Sequence, residues 1–579
     1  MKGVLLLISL TLFQIIAQTD EQSYPDINTE FLIATTLYDS SQYNDALETF
    51  NRIANQYEYS DKTTASTLFI GKILLNQKKH KLGEQHLIRF IRQFGNSKFI
   101  DEAKFTLAVS YIEQQKFEEA VTVLLEILNN SKSDNYISKS KLLVETIFFE
   151  KLDINKLKTT LAENQNIKVR PVLLLILGKL YKYFNENLKA NENFKIIIDN
   201  YKSAPEYASA KNLYNENITE SEKLIPDKSQ KTILVLLSLT SEYADVRTTS
   251  RDALEGIKYA FDEFNRGNYE KIGLLIKDIK GDENIIQSLA EEVKDIEFVG
   301  IFAPMHTNDV ELTLKYFDSR NIPILSPTAT GDSLTIKSKN FYQANPSFVM
   351  RGKVMAQFIS FVENKKNIAV IHSKDGYSVN LADSFIEEFK KNGGVITEIA
   401  KYPSKSSNLN QVVAALKKNK FDGIYAPISE TATANLLLSS LLRNSINVPI
   451  YGNQDWMNVK GLDNFSQLSK RLTITSDYFV DYRDHAYISF SKKYYEITKK
   501  EVNRNVIYGY DAASFLLGVF GNSAVGNKNY SALMKSDKTH AGFHNSLIFD
   551  NTRINSSLNV VRYRNNIFEL VDIFRYESK

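Results

Sequence analysis

The feature that most constrains this chain is an alternation of strand and helix patterns that begins at residue 231 and runs through two consecutive series. One unit shows it clearly. Ile368–Ile371 is a short apolar run, a polar turn follows, and from Leu381 onward apolar residues recur at helical spacing until Gly393. Alternation of this kind builds parallel sheets with helices on both faces. The two series therefore predict an α/β module of two lobes over residues 231–579.

The predicted strands are short and mostly apolar, as strands buried on both faces of a sheet are. In chain order they are Lys231–Ser238, Ile272–Ile276, Phe298–Phe302 and Ile322–Ser326, then Ile368–Ile371, Val395–Ala400, Gly423–Ala426 and Pro449–Tyr451. Ligands of open α/β sheets bind outside the carboxyl ends of the strands. The residues that follow these strands, Tyr377 among them, are therefore the predicted place for a ligand.

Residues 27–220 show an internal repeat of a different kind. A small residue is followed by a second small residue and then by a large apolar one, at constant spacing. The three columns are Ala34, Gly71, Ala108 and Gly178; Ala46, Gly83, Ala120 and Ala190; and Phe50, Leu87, Leu124 and Phe194. The wider gap between the third and fourth occurrence predicts a degenerate repeat between about residues 140 and 170.

Small residues at fixed spacing let two helices approach closely, and the large residue fills the gap to the next pair. The columns resemble the tetratricopeptide pattern, which implies an all-α helical-repeat solenoid. Such solenoids commonly dock a protein or peptide partner. A plain spacer between two other parts of the protein is the alternative interpretation.

Two short segments flank the repeats. Residues 1–17 combine a basic start with the apolar run Val4–Ala17, which predicts a secretory signal peptide; an uncleaved anchor is the alternative. Residues 221–230 are polar with one proline and predict a linker. No later stretch approaches the roughly 20 apolar residues of a membrane-spanning helix. We therefore expect a periplasmic or secreted protein without stable membrane insertion once the signal is removed.

The composition excludes several functions. The absence of cysteine rules out disulfides, thiol nucleophiles, cysteine-bound metals and a lipid-modified cysteine. A net charge of +3 gives no reason to propose nucleic acid as a partner. His540 and His544 have no third metal ligand nearby, and the common motifs of hydrolases and nucleotide-binding enzymes are absent. We predict no catalytic residue, no metal and no cofactor.

Several segments of the α/β module resemble, in the same order, those of type I periplasmic binding proteins, in particular the branched-chain amino-acid (Leu/Ile/Val) solute-binding family. They are Arg251–Asn265, Asp278–Asp282, Ile322–Thr330, His372–Ala382, Tyr510–Ala513 and Leu547–Val571. The resemblance implies a two-lobed α/β fold with a ligand cleft between the lobes. Backbone N–H groups and hydroxyls in such a cleft take up a ligand carboxylate.

The resemblance also implies roles for three threonines and for Tyr377. Thr307 stands where the family uses a serine or threonine for the ligand carboxylate. Thr328 and Thr330 fall in a turn that serves the same end. Tyr377 falls on the cleft tyrosine of the family, although Ser378 replaces the glycine that usually follows it. Each threonine has the alternative interpretation of a helix cap or turn residue.

On the second lobe, Glu430 and Asp455 are the candidates for an acid that holds an ammonium group of the ligand. Trp456 is the candidate for an apolar wall beside it. The ligand implied by this set is an amino acid or a related small polar compound. Its identity is left open, because the Gly-rich entrance loop of the family is replaced by Glu242–Ser250.

Two functions follow. The first is an exported solute-binding protein for transport or sensing, with the helical repeats docking a transporter or receptor component. The second comes from the order of the domains, which resembles that of penicillin-binding-protein activator lipoproteins. In those proteins the binding-protein fold is an interaction domain for a peptidoglycan synthase, so the alternative is an envelope adaptor of a cell-wall synthase. An open, polar cleft would favour the first function, and a cleft filled by side chains would favour the second.

Overall fold

A computed structural model of the protein describes residues 26–184, 186–221, 231–403, 406–521, 529–535 and 540–577. The predicted signal segment and residues 222–230 of the predicted linker lie outside the described residues. The chain divides into two compact units. One extends to Leu180 and includes Ala190–Tyr214, and the other consists of Tyr181–Lys189 and the chain from Asn215 onward.

The region predicted to hold helical repeats is entirely α-helical where the structure describes it. Its helices are Ile27–Asp39, Tyr43–Gln56, Asp61–Asn76, His80–Gln93, Ile100–Glu113, Phe117–Asn130, Asp134–Glu150, Ile154–Glu163, Arg170–Tyr183, Asn187–Asn200 and Glu206–Ser221. The degenerate repeat predicted between residues 140 and 170 is confirmed as the helix pair Asp134–Glu150 and Ile154–Glu163.

The small-residue columns are needed for the packing of these helices. All five alanines of the two columns, Ala34, Ala46, Ala108, Ala120 and Ala190, are fully buried. A Cβ atom added to Gly71 would lie 2.8 Å from Leu87, and one added to Gly178 would overlap the ring of Phe194. Glycine is therefore the residue that fits against the large side chain of the third column at these positions.

The second unit contains two sheets, as predicted. The first is parallel, with strand order β2-β1-β3-β4-β5. Its strands are β1 (Thr232–Leu237), β2 (Gly273–Asp278), β3 (Gly300–Phe302), β4 (Ile324–Ser326) and β5 (Phe341–Gln343). The helices of this first lobe are Ala244–Gly267, Glu283–Glu292, Thr307–Phe317, Leu334–Lys337, His485–Thr498, Arg504–Gly521 and Tyr530–Met534.

The second sheet has the order β14-β13-β10-β9-β8-β6-β7 and forms the second lobe. Its strands are β6 (Asn367–Ser373), β7 (Val395–Tyr402), β8 (Gly423–Tyr425), β9 (Ile450–Asn453), β10 (Leu472–Ser476), β13 (Ser557–Arg564) and β14 (Ile567–Arg575). The last two form the predicted closing hairpin and are antiparallel. The helices are Phe348–Gln357, Ser378–Lys391, Asn410–Leu416, Thr431–Arg443 and Ser466–Ser469. A small ribbon, β11 (His540–Ala541) with β12 (Ser546–Leu547), precedes the hairpin.

The chain crosses between the lobes three times. The crossovers follow β5, follow β10 and precede β13. The first and third are joined by backbone hydrogen bonds, because Gln343 accepts from the N–H of Asn555 at 2.9 Å and donates to the carbonyl of Arg553 at 2.9 Å. Within the described residues, no helix combines the length and apolar character that crossing a membrane requires.

Two helices of the first lobe touch backbone to backbone. Gly256 lies on helix Ala244–Gly267 and Gly509 on helix Arg504–Gly521. A Cβ atom on Gly256 would collide with the carbonyl oxygen of Val506, and one on Gly509 would collide with the carbonyl oxygen of Ala253. The late helix is thereby held on the early one, although they are far apart in sequence.

We expect Gly509→Ala to lower the free energy of unfolding of the second unit by about 1–3 kcal/mol, because the added methyl group forces the two helix backbones apart. Gly518→Ala is the matched control. Gly518 lies on the same helix with nothing within 4 Å of its Cβ position, so alanine there should raise stability by up to about 1 kcal/mol. Differential scanning calorimetry of the full chain measures both changes. Equal changes in stability for the two substitutions would contradict the close contact of the two helix backbones at Gly509.

Candidate functional site

A buried ion pair fixes the geometry of the lobe junction. Arg351, on the first helix of the second lobe, places Nη1 3.1 Å from Oδ1 of Asp477, which directly follows β10. The two residues are only 6% and 2% exposed. Arg351 also donates from Nη2 to Oδ1 of Asn345 and from Nε to the carbonyl of Pro346, both at 2.9 Å. One guanidinium therefore ties the first crossover to the second.

Asp477 is also contacted from the first lobe. Tyr508 donates its hydroxyl to Oδ2 of Asp477 at 3.0 Å, and Nη2 of Arg504 lies 3.6 Å from the same oxygen. Burial acts to raise the pKa of Asp477, but the charges of Arg351 and Arg504 outweigh it, so the pKa lies below its usual value. The carboxylate is therefore held in its charged form between both lobes.

The structure brings Tyr377 and Asp455 into direct contact. Tyr377 follows β6 and precedes helix Ser378–Lys391, whereas Asp455 follows β9, so both stand at carboxyl ends of strands in the second sheet. The Tyr377 hydroxyl donates to Oδ2 of Asp455, and Nδ2 of Asn453 donates to the same oxygen at 3.0 Å. Burial and the neighbouring Asp455 carboxylate raise the pKa of the Tyr377 hydroxyl, which keeps it a donor.

The three threonines lie together on the first lobe. Thr307 begins helix Thr307–Phe317 after β3, and its Oγ1 lies 3.5 Å from the donating N–H of Thr330. Thr328 donates its hydroxyl to the carbonyl of Met305, so this hydroxyl joins the two loops. The Thr307 hydroxyl accepts in this contact and keeps its own O–H, which can donate to a carboxylate.

A continuous set of contacts links these threonines to Tyr377. Nδ2 of Asn345 donates to the carbonyl of Thr328 at 3.2 Å, and Oδ1 of Asn345 accepts from Arg351. The Arg351 guanidinium lies 5.2 Å from the ring centre of Phe348, which stacks on the ring of Tyr377 at 4.8 Å. The threonine loops and the Tyr377–Asp455 pair therefore lie at the two ends of one contact path across the junction.

Glu430 does not join this group. It is exposed, precedes helix Thr431–Arg443, and its backbone carbonyl accepts from the N–H of Thr433 at 3.1 Å. Of the two predicted acids, Asp455 is the one that contacts the cleft tyrosine.

The prediction that Trp456 walls the cleft is wrong. Its side chain is fully buried among the apolar residues of the second lobe, and its indole N–H donates to the carbonyl of Ala426 at 2.9 Å. Gly452 leaves room for the ring, since a Cβ atom there would overlap the indole. Both residues lie in the short 3-10 helix Gln454–Asn458 after β9, where successive side chains point about 120° apart, so Trp456 enters the core while Asp455 does not.

A cavity of about 330 Å³ lies next to Asp455, between the two lobes. The second lobe contributes Gln454, Asp455, Met457, Asn458 and Ser476, and the first lobe contributes Tyr478, Tyr482, Tyr487, Val502, Asn503, Arg504 and Ile507. Cavities of this size are typical of small-molecule sites. Tyr478 directly follows β10, so the strand-end rule alone could have found it. Arg504 is the first residue of a helix and does not follow a strand, so this rule could not have identified it.

The sequence profile of the periplasmic binding protein family matches residues 231–536, more than half of the chain. The chain belongs to the periplasmic binding protein family. A tetratricopeptide-repeat profile matches residues 102–133. Among the described residues, no group of three or more His, Asp or Glu side chains is arranged to hold a metal ion.

Several known proteins are similar to parts of the chain. Response regulator aspartate phosphatase I from Bacillus subtilis (strain 168) is 25% identical over 197 residues, which is 32% of this chain and 50% of that protein. The chain thus spans about half the length of this curated relative. A structure described as a branched-chain amino acid ABC transporter from Rhodospirillum rubrum has a TM-score of 0.52 at 19% identity, covering 59% of this chain and 100% of its own. This likeness shows the type I periplasmic-binding-protein fold of the second unit.

A further structural relative is the substrate-binding protein LivJ from Streptococcus pneumoniae str. Canada MDR_19A, solved in complex with isoleucine. It has a TM-score of 0.40 and 17% identity, and the match covers 60% of this chain and 100% of the other.

We expect Asp477→Asn to destabilise the second unit by about 3–5 kcal/mol at neutral pH, because it leaves Arg351 as a buried charge without a carboxylate. The folded-state pKa of Asp477 is lowered, so its contribution is complete above the unfolded pKa of about 4 and is lost as the pH falls through the folded pKa. The stability gap between wild type and variant should therefore be constant above about pH 5 and should shrink below pH 4.

Denaturant titrations from pH 3 to pH 8 measure this gap. The control is Asp481→Asn, since Asp481 is exposed and pairs with Arg483 at the surface. Its effect should stay within about 1 kcal/mol. A gap for Asp477→Asn that does not change with pH would contradict the charged state assigned to this residue.

Proposed function

We propose that the second unit captures a small zwitterion, an amino acid or a related compound, in the cleft between its lobes. The observation that carries the proposal is the contact path from the threonine loops to the Tyr377–Asp455 pair. The path places carboxylate-binding groups on one lobe and an anionic acceptor on the other. An amino acid carries one group of each kind, and lobe closure would bring the two ends of the path toward it.

The individual groups suit the two ends of such a ligand. On the first lobe, the Thr307 hydroxyl and nearby backbone N–H groups would hold the carboxylate. On the second lobe, Asp455 would hold the ammonium group. Its Oδ2 already accepts from Tyr377 and Asn453, whereas Oδ1 accepts no hydrogen bond from the described residues and remains for the ligand. Glu430 is not part of this proposal, because it lies apart and exposed.

A ligand held from both lobes would favour a closed arrangement, because it gains its full set of contacts only when the lobes come together. The three crossovers are the hinge of this motion; Arg351 and Asp477 tie the first to the second, and Gln343 ties the first to the third. Ligand capture followed by closure serves either delivery to an ABC transporter or presentation to a receptor. We place the protein in the periplasm or outside the cell, as is typical of its family, and propose no enzymatic step.

The tetratricopeptide match supports a docking role for the first unit, with a transporter, receptor or envelope component as its partner. The alternative, an envelope adaptor that acts on a cell-wall synthase, would use the second unit as an interaction domain. The cavity between the lobes favours solute binding, since its lining is polar and aromatic and an interaction domain has no need of such a space. Coprecipitation with the full chain and with residues 231–579 tests whether a partner depends on the repeats.

We expect Asp455→Asn to weaken the binding of a zwitterionic ligand about 10- to 100-fold, because an amide replaces the charge that opposes the ammonium group. Isothermal titration calorimetry of the purified full chain against the common amino acids identifies the ligand and measures the loss. Asp463→Asn is the matched control, since Asp463 is an exposed aspartate eight residues further on. It should leave the affinity within about twofold.

Two results would contradict the proposal. The first is the failure of the wild-type chain to bind any amino acid or short peptide, and to release one on denaturation. The second is an equal affinity loss in the Asp455 and Asp463 variants, which would place the ligand elsewhere.

A further inference from the structure

The cavity beside Asp455 contains two charged side chains of opposite sign. Asp455 contributes a carboxylate from the second lobe, and Arg504 contributes a guanidinium from the first. The Arg504 side chain is 50% exposed. Its guanidinium lies 4.6 Å from the ring centre of Tyr478, which holds it against an aromatic face at the wall of the cavity.

The charge of Arg504 is only partly balanced by the protein. Its nearest carboxylate is Asp477, at the long distance of 3.6 Å. Asp477 is already paired with Arg351 at 3.1 Å, so one carboxylate serves two guanidinium groups. Nε and Nη2 of Arg504 both donate to the Tyr508 hydroxyl, at 3.1 and 2.6 Å, and this hydroxyl supplies no negative charge. Asp455 is the second carboxylate here, so one positive charge remains for the ligand once Asp455 has bound an ammonium group.

We propose that the ligand carries a second anionic group, and that Arg504 binds it. The ligand class is an acidic amino acid or a short peptide with an additional carboxylate. This inference rests on the proposed function, in which Asp455 takes the ammonium group and the threonine loops take the first carboxylate. Arginine suits the second carboxylate, because its planar guanidinium is always charged and can donate two parallel hydrogen bonds.

The remaining lining fits such a ligand. Gln454 has its Oε1 atom buried without a hydrogen-bond partner, and it lines the cavity next to Asp455. An ammonium or amide N–H of the ligand would supply the missing donor. Tyr478, Tyr482 and Tyr487 offer aromatic surface for the carbon chain that connects this end of the ligand to the carboxylate at Arg504.

Arg504 also connects the ligand to the hinge. It begins helix Arg504–Gly521 of the first lobe and touches Asp477 at the second crossover, whereas Asp455 belongs to the second lobe. A ligand that spans Asp455 and Arg504 therefore contacts both lobes and a residue of the hinge at once. A neutral ligand of the same size would leave the guanidinium without its counter-charge and would favour closure less.

The test compares acids with their neutral amides. Calorimetric titrations use glutamate against glutamine and aspartate against asparagine, with the full-length wild type, Arg504→Gln, Arg504→Lys and Arg483→Gln. The last is the control, since Arg483 is exposed and pairs with Asp481 at the surface. Thermal unfolding without ligand shows whether each variant is folded.

The wild type should bind one of the acids at least about tenfold more tightly than its amide, because the amide leaves Arg504 without a counter-charge. Arg504→Gln should remove this preference. It should lower the affinity for the acid about 10- to 100-fold and change the affinity for the amide by no more than about twofold. Arg504→Lys should keep part of the preference, and Arg483→Gln should keep all of it. If Arg504 had a purely structural role, Arg504→Gln would lower the affinities for acid and amide equally.

The outcomes separate this inference from the function on which it rests. Two results would contradict the binding of a second anionic group by Arg504 without contradicting the zwitterion site. One is equal affinity of the wild type for acid and amide, and the other is an unchanged preference in a folded Arg504→Gln variant. Failure of the wild type to bind any zwitterion overturns both.

Discussion

The two lobes depend on a single buried carboxylate. Asp477 sits where the chain leaves the second sheet, and removing a carboxylate from water is tolerated only when opposite charges and donors surround it. Arg351 supplies the first charge from one lobe, and Arg504 with Tyr508 supplies the second charge and a hydroxyl from the other. The cleft is built around this cluster, because the same arginines reach toward the Tyr377 pair and into the cavity.

Close packing through small residues is the second constraint, and it recurs in both units. In the helical repeats the small columns admit large side chains such as Leu87 and Phe194. In the first lobe, Gly256 and Gly509 go further and let two helix backbones touch. The absence of a Cβ atom lets neighbouring elements pack at shorter distances. In both units the small residue is therefore what allows the neighbouring element to approach.

The sequence predicted the fold in detail because its evidence is periodic and local. The strand predicted at Lys231–Ser238 is observed at Thr232–Leu237, and the hidden helical repeat is present. Tyr377 was predicted by the strand-end rule and Asp455 from the family resemblance, and the two meet in the structure. The remaining site residues were missed for a physical reason. Arg351, Asp477 and Arg504 pair over long sequence separations, and in a sequence each resembles an ordinary solvated charge. Trp456 was assigned to the cleft, but the 3-10 helix that follows β9 directs its side chain into the core.

The burial of Trp456 has a practical consequence for spectroscopy. It is the one tryptophan of the chain, it is sealed in the core of the second lobe, and its N–H is held by Ala426. An indole shielded in this way emits at short wavelength and changes little when a neighbouring surface gains or loses solvent. Its fluorescence is therefore an intrinsic probe of the unfolding of the second lobe. The motion of the lobes calls for an added chromophore, and a chain that lacks cysteine accepts engineered cysteine pairs without background labelling.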